Sequence, residues 1–191
     1  MTLLSTPAQL MVRPFRGYAE LARIEGEGRP DALFGVLRFL FVFGAFVSLT
    51  ATGRLAPNEL VSGMISFAYV PIVHGLSVCA ATRAVTKDVP LRRAFALYME
   101  SYGPWFLLMI AVAGGSFFAP SPARLLSAAG GWMILAAAAW SSVLTFACFR
   151  SGLALSWRRA AAATVLHYVL VVGLVLSYFL AAGQLLPILR R

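Results

Sequence analysis

Four side chains in this sequence could do chemistry where lipid would ordinarily forbid it. Arg38, His74, Glu100 and His167 each stand inside a long apolar block. A carboxylate and a neighbouring histidine can pass a proton or hold an ion or a headgroup, and an intramembrane arginine beside them invites an ion pair. Counted along helices at about 1.5 Å per residue, Arg38, His74, Glu100 and His167 all fall at one level, roughly 9–12 Å inside the same membrane boundary. Ser141 and Ser142 of the fourth block reach a comparable depth. An unpaired charge at the helix centre costs about 2.5–3.5 kcal/mol on insertion scales, so Arg38 and Glu100 are expected to pair. Two readings follow: a polar cavity open to the cytoplasm, used by a small carrier, or an inter-helix clamp that fixes register. Arg38 can alternatively snorkel to the interface.

Enzymatic signatures are missing. The chain has no HExxH, no Gly-x-Ser-x-Gly and no GxxxxGK[ST], so no catalytic residue is assigned and no cofactor is expected. Two histidines and one carboxylate are a thin ligand set for a metal, and Arg38 at the same level would repel the cation. Cys79 and Cys148 stand far apart, which suggests neither a zinc knot nor a redox pair.

Positioning such a layer takes helices, and the composition supplies them. Of 191 residues 60% are hydrophobic and only 12% are charged, against about 25% in soluble domains. The expectation is an all-α membrane protein: a bundle of five transmembrane helices at 32–52, 60–82, 94–117, 125–149 and 160–184, preceded by a short amphipathic helix. Each block meets the roughly 20 residues that a hydrocarbon core requires. Residues 1–31 form an N-terminal segment and 185–191 a short tail. Short connectors make consecutive helices antiparallel neighbours and leave no room for a soluble domain between them. Pro71 and Pro104 are each expected to kink a helix near mid-membrane. The alanine runs 136–139 and 160–163, with Gly130 and Gly131, offer small surfaces for close helix approach.

From Pro14 to about Glu25, apolar Phe15, Tyr18 and Leu21 fall on one helical side and Arg13, Arg16, Glu20 and Arg23 on the other. Arg13, Arg16 and Arg23 are therefore candidate membrane-surface residues, over anionic lipid if the helix lies among headgroups. The same pattern suits a helix docked on its own protein. Both readings stay open at this level.

The basic residues sit at block ends and form no continuous patch, so lipid and topology explain them and no nucleic-acid partner is expected. Arg13, Arg16, Arg23, Arg29, Arg83, Lys87, Arg92, Arg93, Arg150, Arg158 and Arg159 share one side; Arg54, Arg124, Arg190 and Arg191 share the other. That bias predicts a cytoplasmic N-terminus and an outside C-terminus. Arginine supplies all basic residues but Lys87, a bias that fits a bacterial genome and hence an inner membrane.

The stretch LMVRPFRGYAELARIEG, with Pro14 ahead of Phe15 and Leu21, and the passage TKDVPLRRAFALYMESYGPWFLLM resemble the bacterial branch of the Yip family of small membrane proteins. The resemblance spans roughly residues 10–185. It implies five membrane helices and a non-enzymatic membrane-organising or partner-binding protein, whose partners are the lipid bilayer and other membrane proteins or copies of itself. Eukaryotic members have a cytosolic N-terminus and associate with Rab-type GTPases. They carry an acidic-x-Tyr-Gly-Pro motif near their first membrane segment, whereas Glu100-Ser101-Tyr102-Gly103-Pro104 stands in the third here, and their long cytosolic region shrinks to about thirty residues. No functional residue and no GTPase partner is carried over.

Overall fold

The structure, a computed structural model, describes residues 5–24, 32–116 and 130–189. Those residues are helical throughout apart from short turns, and five of their helical stretches are long and apolar enough to cross a membrane. The protein is an all-α integral membrane protein. Arg29, Arg124, Arg190 and Arg191, the connector at 118–124 and the start of the expected fourth block lie outside the described residues.

Two short helices, α1 (Ser5–Val12) and α2 (Pro14–Ile24), precede the spans. Proline suits the first turn of α2, where its missing N–H costs nothing. Gly17 lets the two helices touch, because a Cβ there would lie 3.0 Å from the Leu10 Cα. The first span is α3 (Ala32–Thr52). The second joins α4 (Pro57–Phe67) to α5 (Tyr69–Val85), and the third joins α6 (Leu91–Met99) through one 3-10 turn at Glu100–Tyr102 to α7 (Gly103–Ser116). The fourth is α8 (Gly131–Ala147), closed by a π turn at Cys148–Gly152, and the fifth begins α9 (Trp157–Leu189).

Helix ends run past the expected limits. The second span covers Pro57–Val85 and the third starts at Leu91, because polar residues continue a helix for a turn into the headgroup zone. Helix α9 likewise continues through 185–189, which the sequence reads as tail.

Both proline breaks fall one turn before the proline. Pro71 cannot donate to the Phe67 carbonyl, and the helix resets at Ala68, whose N–H reaches back to Ile65 O at 3.1 Å. Pro104 cannot donate to the Glu100 carbonyl, and the tight turn starts at Glu100.

The third span is the most enclosed. It packs on the first, second and fourth, while the fifth packs chiefly on α5 and only lightly on α8. Chain order therefore misplaces the fifth helix, whose main neighbour is the second span. The first two spans meet at glycines: a Cβ on Gly63 would lie 2.9 Å from the Gly44 Cα, and one on Gly44 2.6 Å from the Leu60 carbonyl oxygen. Small surfaces are used elsewhere in part. Ala137, Ala160 and Ala163 are buried, whereas Ala136 and Ala139 are exposed and Gly131 meets nothing.

Helix α2 is docked. Tyr18 is fully buried and Leu21 nearly so, against α1, α8 and the π turn, while Arg93 Nη2 donates to the Ala22 carbonyl at 3.1 Å. Arg13, Arg16 and Arg23 remain exposed on the far face, with Arg16 Nε donating to Glu20 Oε1 at 2.9 Å. Burial pushes the Tyr18 hydroxyl well above its ordinary pKa, with smaller pushes from Cys148, Glu100 and Tyr168, so it stays neutral.

Candidate functional site

Helices α3, α5 and α9 and the 3-10 turn of the third span bring the four ionisable residues together as two pairs. Arg38 on the first span meets Glu100 at the 3-10 turn of the third, Nη2 to Oε2 at 2.9 Å. The guanidinium also lies 5.5 Å from the Phe106 ring centre, a cation–π distance that helps hold the charge away from water. Both side chains keep partial exposure, 28% for Arg38 and 15% for Glu100.

The histidines form the second pair, and a residue that sequence reasoning passed over joins them. Tyr98 Oη lies 2.6 Å from His74 Nδ1 and 3.1 Å from His167 Nε2. Ser77 Oγ lies 2.9 Å from His167 Nδ1 and donates to the His74 carbonyl at 2.9 Å.

Proton counting for neutral rings fixes the direction of every bond. Ser77 has one hydroxyl hydrogen, and the His74 carbonyl takes it. His167 Nδ1–H must then donate to Ser77 Oγ, so its Nε2 accepts from the Tyr98 hydroxyl. Tyr98 Oη in turn accepts from His74 Nδ1–H. The four residues close a ring in which each donor finds an acceptor, and the ring ties the second, third and fifth spans. His74 Nε2 is left as the one imidazole nitrogen without a bond, on a side chain that is only partly buried. His167, by contrast, is 0% exposed and both its nitrogens are taken.

Tyr102 stands between the two pairs. Its ring meets His74 edge-on at 5.6 Å and Phe39 at 4.7 Å. The single polar layer expected from depth counting is thus divided by an aromatic wall into an ion pair and a neutral ring. On the fourth span, Ser141 Oγ donates to the Ser101 carbonyl at 3.4 Å, and Thr145 meets Tyr168 of the fifth at 3.3 Å; Ser142 bonds only within its own helix. Among the described residues, no three His, Cys, Asp or Glu side chains gather at a point that would hold a metal.

Tyr98 and Ser77 left a signal in the sequence. Ser77 follows His74 by three residues, one helical turn, and Tyr98 is a polar-tipped aromatic two residues before Glu100. Depth counting took in Ser141 and Ser142 but overlooked both.

Comparison of the chain with protein-family models, with curated proteins and with solved structures gives no match. The arrangement of the two pairs is therefore the main guide to what the bundle does.

Proposed function

We propose that the protein is a non-enzymatic organiser of a bacterial inner membrane, of Yip type, that binds other membrane proteins or further copies of itself and has its N-terminus in the cytoplasm. The observation that carries this reading is the closed ring. Its hydrogen bonds are satisfied internally and His167 is sealed, which suits a clamp setting three spans in register better than a path for a substrate. The docked α2 adds a compact basic face at one end of the bundle.

A second reading, a small proton-coupled carrier, draws on the open Nε2 of His74. A proton arriving there could pass through Tyr98 to His167 by successive exchange along the ring. Reconstitution separates the two. Full-length protein in liposomes loaded with a pH-sensitive dye is expected to give no flux above protein-free liposomes, while affinity purification from native membranes returns stoichiometric membrane partners or a stable self-assembly. A proton flux abolished by His74→Ala would replace the organiser with the carrier.

A further inference from the structure

Beside α2, at the end of the bundle that also carries Arg83 and Arg93, an open cleft of about 590 Å³ separates α2 from the π turn and the start of α9. Its volume lies in the range of small-molecule sites, about 300–1,000 Å³. Three aromatic rings wall it. Phe15 meets Phe146 edge-on at 6.0 Å, and Phe146 meets Trp157 at 5.9 Å. Arg150 is the charged side chain of the lining, and no acidic residue lines the cleft.

Local backbone geometry holds that arginine in place. The π turn sends the chain back so that Leu153 N–H donates to the Cys148 carbonyl, and Ala154 adopts a left-handed φ of 53°. This turns the Leu155 carbonyl onto Arg150, whose Nη1 donates to it at 2.8 Å. One guanidinium N–H is thereby fixed and the rest remain for an anion. Arg158 and Arg159, exposed on the first turn of α9, extend the positive field. The acidic residues described at this end are Glu20, held by Arg16, and Asp88, which accepts from Thr86.

A fixed guanidinium beside three aromatic wall residues, at the end of membrane-spanning helices, suits a phosphate attached to something apolar. We propose that this cleft binds the headgroup of an anionic phospholipid, with the phosphate on Arg150 and the glycerol and first acyl carbons against Phe15, Phe146 and Trp157. Trp157, largely exposed, takes the interfacial position that tryptophan favours. The inference rests on the membrane placement of the bundle and is independent of the organiser reading.

The test uses the full chain, purified in neutral detergent and stripped of lipid. It is titrated with phosphatidylglycerol, phosphatidylcholine or glycerol 3-phosphate, and bound species are counted by native mass spectrometry. Phosphatidylglycerol is expected to be retained at about tenfold lower concentration than phosphatidylcholine, and glycerol 3-phosphate not at all. Arg150→Gln removes the phosphate contact. Ala19→Trp, at an exposed position on the cleft wall, fills the space while leaving Arg150 bonded to Leu155, and it decides the matter if Arg150→Gln fails to fold. Each folded variant should lose the preference. Equal retention of the two lipids, a preference that survives in a folded variant, or capture of glycerol 3-phosphate as tight as that of lipid overturns the proposal.

Discussion

Arg38 and Glu100 face each other across the first and third spans, Nη2 to Oε2 at 2.9 Å, with no hydrogen bond between this pair and either histidine. The ion pair is thus an independent fastening, and its removal should be felt as stability lost between those two spans.

Arg38→Ala or Glu100→Ala alone should each cost about 2 kcal/mol, below the 3–5 kcal/mol of a fully buried pair because both side chains keep some exposure. The double change should recover part of the loss, since it strands no charge. A double-mutant cycle on thermal unfolding in detergent measures the coupling, and strictly additive losses would show that the pair is energetically silent.

The hydrogen-bonded ring makes a different demand. Tyr98→Phe keeps the ring packing but deprives both histidines of a partner, which should destabilise by about 1–3 kcal/mol. Ser77→Ala should cost a similar amount by stranding His167 Nδ1–H. Combining them should cost less than the sum, because both cuts open one ring. Full additivity would mean that the bonds act singly.

Close approach of the first two spans depends on Gly44 and Gly63. Gly44→Ala places a methyl 2.6 Å from a backbone oxygen that cannot step aside, so a loss of about 1–3 kcal/mol is expected. Gly173→Ala, in α9 with nothing within 4 Å, is the control and should cost nothing. Equal effects of the two substitutions in a thermal unfolding series would contradict the packing argument.

The charge bias predicts the orientation of the bundle. A reporter active only in the cytoplasm should work when fused ahead of Met1, and one active only outside should work after Arg191. The opposite pattern would place Arg150 and its cleft on the outer face, and the N-terminus with them.

Apolar length and composition by themselves determined the class of this protein: 60% hydrophobic residues arranged in long blocks have few alternatives to membrane helices. Pattern also located the breaks at Pro71 and Pro104 to within a turn, because a proline's effect on its own helix is local. Helical periodicity marked the apolar face of α2, but Tyr18 and Leu21 could equally have met lipid, and only the space between α1, α8 and the π turn decided that they meet protein. Depth counting brought Arg38, His74, Glu100 and His167 to one level, since depth is a one-dimensional quantity that a sequence carries. Which helices face each other is not. The rotation of each helix about its axis and the packing of the fifth span on the second depend on how Gly44 fits Gly63 and how His167 meets Ser77, contacts between residues 19 and 90 positions apart. Tertiary structure alone therefore divided the polar layer, inserted Tyr98 between the histidines and left Arg150 at the mouth of a cleft.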